Sequence, residues 1–90
     1  ATAGLSAPAG PLLRLDLRGK RADLALNELS RFLDKALLAG MESVEIVHGR
    51  GTGVLRKEVH AFLKSFPGIK DATLAPEDRG GDGMTIVEFR

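Results

Sequence analysis

The nine residues from His48 to Arg56 combine an imidazole, three glycines and two arginines in one short segment. They follow a predicted strand, residues 43–47, and lead into a predicted amphipathic helix, residues 54–66. Glycines let backbone N–H groups approach a ligand closely, and the N-terminus of a helix carries partial positive charge. The segment is therefore suited to bind a phosphate group, with His48 placed to transfer a proton beside it.

The same segment has a simpler interpretation, in which the glycines only form a tight turn and His48 is a hydrogen-bonded residue at a strand end. The rest of the chain favours the functional interpretation, because other polar residues are predicted at the same edge of the sheet.

The elements that position this segment follow from the spacing of apolar residues, which alternates in strands and follows a helical period in helices. In chain order they are a strand at 13–17, a helix at 22–39, a strand at 43–47, a helix at 54–66 and strands at 69–74 and 84–89. A turn-rich loop, residues 76–83, precedes the last strand, and Thr52 is predicted to cap the second helix.

The element order βαβαββ predicts the fold class. Each strand–helix–strand unit makes a right-handed crossover, so both helices cover one face of the sheet. The last strand returns through a short loop and runs antiparallel. We therefore predict an α/β two-layer sandwich with a four-stranded, mostly parallel mixed sheet and two helices on one face.

Composition limits the classes of function. The chain has 90 residues, a net charge of +1 and no cysteine, which excludes disulfides and thiolate metal sites. No stretch is apolar enough to span a bilayer and no signal peptide is evident, so a cytoplasmic location is expected. Residues 1–12 include an Ala/Gly/Pro-rich lead and are predicted to be a flexible linker from an upstream region, with one domain at 13–90.

Ligands of open α/β sheets bind at the carboxyl ends of parallel strands. The first strand ends near Asp16 and Arg18, and the second ends at His48. We therefore expect these side chains to lie near the glycine loop, residues 49–53. The third strand ends near a further polar set, Glu77, Asp78, Arg79 and Asp82.

Several of these residues also have structural interpretations, which the sequence leaves open. Asp16 could simply pair with a neighbouring arginine, and the acidic residues of the 76–83 loop are interpreted as turn residues. His60 is predicted to lie on a solvated helix face and is given no role. Three basic residues of that helix are either surface charge or contacts to a nucleic-acid backbone: Arg56, Lys57 and Lys64.

Several motif classes are excluded. A P-loop needs Gly-Lys-Ser/Thr, but Gly53 is followed by Val54, so this domain binds no nucleotide in that way. The dinucleotide fingerprint is also absent, because the three glycines alternate with other residues. Two histidines without cysteine do not favour a structural zinc site, and no serine lies in a nucleophile elbow.

Three segments together resemble the Smr (small MutS-related) domain family: Leu15–Gly19, His48–Arg56 and Gly80–Val87. Their order and spacing match from Arg14 to Arg90, and they are most similar to the C-terminal Smr domain of the second bacterial type of MutS paralogue. One position departs from the family pattern, because many members have histidine where this chain has Arg18.

The resemblance implies a fold similar to the C-terminal domain of translation initiation factor three. It implies endonucleolytic nicking of branched or duplex DNA, within a MutS-type ATPase that suppresses recombination and takes part in DNA repair. Some relatives are instead implied to cleave or bind RNA, or to act in rescue of stalled ribosomes. The implied partners are DNA, ribosomal RNA or the ribosome, and an upstream MutS-like ATPase region of the same polypeptide.

Two functional hypotheses remain. In the first, the domain is an endonuclease with Asp16, His48 and Arg18 as catalytic residues and Mg²⁺ or Mn²⁺ as an expected cofactor. The phosphate-binding residues would be Gly49, Arg50, Gly51, Thr52, Gly53, Arg56 and Lys57. Asp16 would orient a water, position His48 or hold the metal, and His48 would be general base or acid. In the second, the same surface binds structured RNA without chemistry.

Overall fold

The computed structural model describes residues 13–90; the linker predicted for residues 1–12 lies outside them. The elements are β1 (Leu13–Asp16), α1 (Ala22–Leu38), β2 (Ser43–Val47), α2 (Val54–Ser65), β3 (Ile69–Leu74) and β4 (Met84–Phe89). Two short 3₁₀ turns, Glu77–Arg79 and Gly81–Gly83, join β3 to β4. The predicted order βαβαββ is confirmed.

The four strands form one mixed sheet in the order β1-β2-β4-β3. β1 and β2 pair in parallel, whereas β4 is antiparallel to both of its neighbours, β2 and β3. Consequently β1, β2 and β3 run in one direction and their carboxyl ends share one edge of the sheet. The predicted α/β sandwich with a mixed sheet is confirmed, and β4 is inserted between β2 and β3.

The hydrophobic core lies between one sheet face and both helices. Fully buried side chains come from α1 (Leu29 and Leu33), α2 (Val59) and β2 (Ile46) among others. Burying leucines, valines and isoleucines in this way removes about 1.5–3 kcal/mol of unfavourable hydration per side chain. The opposite face carries charged residues and is covered by neither helix, so it is open at the edge where β1–β3 end.

The glycine loop sets the start of α2. Gly53 adopts the left-handed conformation (φ +85°) and is the N-cap residue, with no side-chain cap hydrogen bond. The prediction that Thr52 caps the helix is therefore wrong: its Oγ1 only receives a long contact of 3.4 Å from the N–H of Val54. Thr52 is exposed instead. Within residues 13–90, neither helix is long and apolar enough to cross a membrane.

Candidate active site

The segment 48–56 encloses a small depression of about 190 Å³, which we call the loop cleft. Its wall is formed by His48, the backbone of residues 49–53 and the side chain of Arg56, together with Gly19 and Lys20 from the turn after β1. Of the predicted phosphate-binding set, only Lys57 lies outside this wall, on the exposed surface of α2. Lys20 is an additional basic residue that the sequence did not single out.

The loop that lines the cleft contains backbone N–H groups without a hydrogen-bond partner among residues 13–90. Gly49, Gly51 and Gly53 all have positive φ (78°, 34° and 85°), which other residues adopt only with strain. Within residues 13–90, the backbone amides of residues 50, 51 and 52 find no acceptor, and in the first turn of α2 the N–H of Val54 makes only the long contact to Thr52. Unpaired amides and the positive end of a helix dipole are features that suit an anion.

Asp82 holds the two arginines that flank the loop cleft. Its Oδ1 lies 2.6 Å from Nε of Arg50, and its Oδ2 lies 3.5 Å from Nη1 of Arg56. The three side chains are partly exposed, so a phosphate could replace the carboxylate as the partner of both arginines. Arginine suits this exchange because its planar fork donates two parallel hydrogen bonds to a phosphate.

His48 is buried at the end of β2, and both of its ring nitrogens are hydrogen-bonded. Nδ1 lies 3.0 Å from the carbonyl oxygen of Gly49, and Nε2 lies 2.7 Å from Oγ1 of Thr85. Because a carbonyl oxygen only accepts, Nδ1 of His48 carries a proton and donates it to Gly49. In the neutral ring Nε2 is then unprotonated and accepts a hydrogen bond from the hydroxyl of Thr85.

His60 makes the second hydrogen bond to the same hydroxyl. Its Nε2 also lies 2.7 Å from Oγ1 of Thr85, and the rings of His48 and His60 have centres 6.0 Å apart with planes at 68°. The prediction that His60 lies on a solvated helix face is wrong. It sits at the flank of α2, where one edge of the ring reaches the fully buried Thr85.

The surroundings of both histidines favour their neutral forms. Burial lowers the pKa of His48, and the positive charge of Arg56 acts in the same direction, against the opposing effects of the Gly49 carbonyl and Asp82. Burial also lowers the pKa of His60, followed by the neighbouring charges of His48, Arg56 and Lys64. Both shifts favour the neutral rings at pH 7.

A second and larger depression, of about 720 Å³, lies on the sheet face that the helices leave uncovered. We call it the open-face cleft. Its charged walls include Arg14, Asp16, Arg18, Glu45, Arg50 and Arg79. Glu45 is buried and is paired with Arg14 (2.9 Å) and Arg79 (3.4 Å), so it holds both arginines in the cleft wall.

Asp16 is held by Arg18 in the open-face cleft. Nε and Nη2 of Arg18 donate to the two carboxylate oxygens at 3.0 and 2.8 Å, and the backbone N–H of Arg18 donates at 3.0 Å. The guanidinium of Arg18, followed by this N–H, lowers the pKa of Asp16 to about 2. Asp16 is therefore a permanently charged carboxylate whose oxygens are occupied by one arginine.

Apart from Lys57, the predicted site residues thus lie in two clefts that share Gly49 and Arg50. Asp16 and Arg18 line the open-face cleft, whereas His48 lines the loop cleft. Asp78 and Arg79 belong to the open-face cleft, and Asp82 contacts the arginines of the loop. Thr85 and His60 are the functional candidates that the sequence reasoning missed.

The arrangement of the His, Asp and Glu side chains decides whether residues 13–90 could hold a metal ion. Among residues 13–90, no group of three His, Asp or Glu side chains is arranged to hold an ion. An ion at Asp16 would have to displace Arg18 from both carboxylate oxygens. The residues therefore do not fit Mg²⁺ or Mn²⁺ in this arrangement, and no step below passes through a metal.

Comparison with known proteins identifies what this architecture resembles. Residues 15–90 match the family model described as the Smr domain. The chain is 63% identical over 84 residues to Endonuclease MutS2 of Maridesulfovibrio salexigens, covering 92% of this chain and 11% of that protein. It is 50% identical over 82 residues to Endonuclease MutS2 of Streptococcus gordonii, covering 91% of this chain and 11% of that protein. The chain therefore spans about a tenth of the length of these curated relatives.

Two solved structures share the fold. The Smr domain of Thermus thermophilus MutS2 has a TM-score of 0.86 and 33% identity, covering 88% of this chain and 99% of that one. YdaL, a stand-alone small MutS-related protein from Escherichia coli, has a TM-score of 0.81 and 25% identity, covering 86% of this chain and 63% of that one.

Proposed function

The chain belongs to the Smr domain family, and we propose that it is a nucleic-acid endonuclease domain that nicks phosphodiester bonds in branched or duplex DNA. We further propose that it acts at the end of a MutS-type ATPase that suppresses recombination. The matched segment is only 11% of the length of the curated relatives that carry the name endonuclease. The upstream ATPase region and the DNA partner are therefore parts of the proposal.

One observation carries this proposal: a single loop supplies both an anion site and a histidine whose protonated nitrogen is on the loop side. The free amides of residues 50–52 and the N-terminus of α2 suit a phosphate. Nδ1 of His48 donates to Gly49, a residue of the same wall. A phosphodiester seated in the loop cleft would lie beside a proton donor, which is the arrangement that cleavage requires.

His48 acts as the general acid in this proposal. Its unprotonated nitrogen faces Thr85 in the interior, so the ring offers the loop cleft an N–H and not a lone pair. When a phosphodiester is cleaved, the departing oxygen develops negative charge and is stabilised by a proton. Water attacks the phosphorus as the bond from phosphorus to the departing oxygen breaks. The imidazolium form of His48 supplies the proton from Nδ1, once the substrate draws it from the Gly49 carbonyl, and returns to a neutral ring. General acid catalysis of this kind is worth about 10²–10⁴-fold in rate.

Arg50 and Arg56 would hold the phosphate after leaving Asp82. Both guanidinium groups already flank the loop cleft, so the exchange needs rotation of side chains only. Their positive charge then stabilises the charge that develops on the non-bridging oxygens in the transition state. Lys20, at the far wall of the cleft, adds a further positive charge.

Asp16 and Arg18 are assigned to the neighbouring nucleotide. They line the open-face cleft, which joins the loop cleft at Gly49 and Arg50, so a strand held at the loop would continue into it. Asp16 orients Arg18 through its two carboxylate oxygens, and Arg18 contacts the adjoining phosphate. The alternative that Asp16 positions His48 is not supported, because their side chains lie in different clefts.

Plasmid nicking tests the proposal. The purified chain is incubated with supercoiled plasmid beside a His48→Ala variant and a Lys70→Ala control, which changes an exposed residue of β3. We expect the wild type and the control to produce nicked circles, and His48→Ala to be slower by about 10²-fold or more. Equal nicking by all three would remove His48 from the mechanism. No nicking by any of them would contradict the endonuclease proposal, and binding to structured RNA would be measured next.

A further inference from the structure

Thr85 is a buried hydroxyl shared by two imidazoles. It lies on β4 in register with Ile46 of β2 and Leu74 of β3, so its side chain points into the helix-covered face of the sheet. It is fully buried, and its Oγ1 is 2.7 Å from Nε2 of both His48 and His60. A buried hydroxyl without partners costs about 1–3 kcal/mol, and here both of its hydrogen-bonding functions are used.

The positions of the protons in this chain follow from donors and acceptors. His48 donates from Nδ1 to a carbonyl oxygen, so its neutral ring has a bare Nε2. The single hydroxyl proton of Thr85 must point to that nitrogen, which leaves the oxygen free to accept from Nε2–H of His60. The hydrogen bonds therefore all run one way, from His60 through Thr85 and His48 to Gly49.

We propose that Thr85 and His60 are positioning residues that form a proton relay, refilling His48 with the proton it delivers to the substrate. The inference rests on the proposed function, in which His48 is the proton donor. His60 is partly exposed, and within residues 13–90 its Nδ1 has no protein partner, so this nitrogen is the entry point for a proton from solvent.

While the substrate covers Nδ1 of His48, the relay carries one proton inward from solvent and charges His48, and its steps balance. A proton binds Nδ1 of His60, the Nε2–H proton of His60 passes to Oγ1 of Thr85, and the Thr85 hydroxyl proton passes to Nε2 of His48. His60 is then neutral and accepts from Thr85, while His48 is an imidazolium that carries protons on both nitrogens. Loss of the Nδ1 proton of His48 to the departing oxygen leaves a neutral ring protonated at Nε2.

The same bonds then reset the relay. The bare Nδ1 of His48 would face the Gly49 carbonyl, an arrangement of two acceptors that is unfavourable. After the product leaves, uptake of a proton from water at Nδ1 and return of the Nε2 proton through Thr85 restore the original directions. One proton is released at His60, so the outward transfer matches the inward one that charged His48. No group outside the chain other than water and the substrate is needed.

The charges around the relay keep the two rings neutral between turnovers. Arg56 lies near both imidazoles, Lys64 lies on the same helix as His60, and Asp82 is the negative group on the side of His48. A proton on either ring repels a second proton on the other, so the pair takes up one proton before two. Binding of a phosphate beside His48 adds negative charge at the end of the relay where the proton is used.

Nitrogen NMR of the imidazole rings tests the relay without any activity measurement. We expect the wild type to show the Nδ1–H form of His48 and the Nε2–H form of His60 at pH 7.5. On acidification, both rings should respond with one common first midpoint, because they share the first proton. Thr85→Ser keeps the hydroxyl and should keep this behaviour, whereas in Thr85→Val the two rings should titrate separately.

Nicking kinetics test whether the relay is used. Thr85→Val and His60→Gln should lower kcat by about tenfold or more, with no change in the DNA concentration that gives half-maximal rate. The amide introduced by His60→Gln can donate to Thr85 but cannot take up a proton, so this variant separates proton supply from positioning. Thr85→Ser should recover the wild-type rate, and Thr73→Val, on an exposed position of β3, serves as the matched control.

The two tests distinguish failure of the relay from failure of the proposed function. A His48 ring protonated at Nε2 and not at Nδ1, or independent titration of the two rings in the wild type, would overturn the relay even if the chain nicks DNA. The expected ring forms in a chain that does not nick DNA would leave the relay in place and overturn the endonuclease proposal. Wild-type kcat in both His60→Gln and Thr85→Val would show that the hydrogen bonds are structural only.

Discussion

Asp16 and His48 end neighbouring parallel strands but face opposite sides of the sheet. Asp16 pairs in register with Val47, and both line the open-face cleft. His48, which follows Val47 in the chain, points to the other side and reaches Thr85 in the helix-covered interior. The site is therefore built on both faces of one sheet edge, with the glycine loop as the boundary between the two parts.

This separation predicts how substitutions combine. Asp16→Ala and Arg18→Ala should each slow nicking by about tenfold, the cost of one charge-assisted hydrogen bond. The double variant should be no slower than Arg18→Ala, because Asp16 acts only through Arg18. The fold reductions in nicking rate caused by Asp16→Ala and by His48→Ala should instead multiply when the two are combined. Single-turnover nicking rates of the single and double variants give both double-mutant cycles. If the effects of Asp16→Ala and Arg18→Ala multiplied, Asp16 would not act through Arg18.

Asp82 is expected to compete with the phosphate for Arg50 and Arg56. Replacing it by asparagine keeps its shape and removes the charge, so duplex DNA should bind about two- to fivefold more tightly at low salt, the worth of exposed ion pairs. Asp34→Asn, on the exposed face of α1, makes the same change of net charge away from the clefts. Fluorescence anisotropy with labelled duplex measures the affinities. Equal affinities of the two variants would show that Asp82 does not occupy the phosphate position.

Gly53 and Gly40 form a matched pair for testing the anion site. Both have positive φ (85° and 73°), so alanine should destabilise the fold by about 1–2 kcal/mol at either position. A Cβ at Gly40 meets nothing within 4 Å, whereas one at Gly53 would lie 3.3 Å from Nη2 of Arg56. We expect only Gly53→Ala to weaken DNA binding, by about tenfold. Comparable weakening by Gly40→Ala would show that the effect comes from stability alone.

Because the pKa of both His48 and His60 is lowered in the folded chain, we expect the fold to lose stability on acidification. Burial lowers the pKa of each in the folded chain, while the unfolded chain keeps the ordinary value of about 6.5. Below that pH the unfolded chain binds protons that the folded chain does not, so the free energy of unfolding falls as pH drops from 7.5 to 5.5. Asp16 does not contribute in this window, because its pKa of about 2 lies far below it.

Urea denaturation at the two pH values measures this dependence. The midpoint should be lower at pH 5.5 in the wild type, and the difference should shrink in a variant with both histidines replaced by glutamine. The same drop in the double variant would assign the effect to other groups.

The sequence predicted the elements and the loop cleft because both are local. Alternation in β1 and the helical stripe of α1 determine which face each element buries, and residues 49–53 are contiguous. The insertion of β4 between β2 and β3 could not be predicted in this way, since it depends on which strand edges pair in the folded chain. Lys20 joins the loop cleft only because β1 and β2 are neighbours.

The relay was missed because its members are far apart in the chain. His60 and Thr85 are 25 residues apart, and the helical spacing places His60 between the buried stripe and the solvated face. One signal was available: the alternation of β4 puts Thr85 on the same face as Val87 and Phe89. A hydroxyl on a buried face needs partners, and the histidines are suitable ones.

The central claim is that His48 donates a proton to the departing oxygen, and a sulfur-bridged substrate tests it most directly. A thiolate leaves without protonation, so replacing the bridging oxygen by sulfur at the mapped nick, in separate 3′ and 5′ versions, removes the need for a general acid. Wild type and His48→Ala are compared in single turnovers on the oxygen and sulfur substrates. We predict that the His48→Ala defect, about 10²-fold or more on oxygen, disappears on the version whose sulfur is the leaving atom. An undiminished defect on both sulfur versions would contradict the claim.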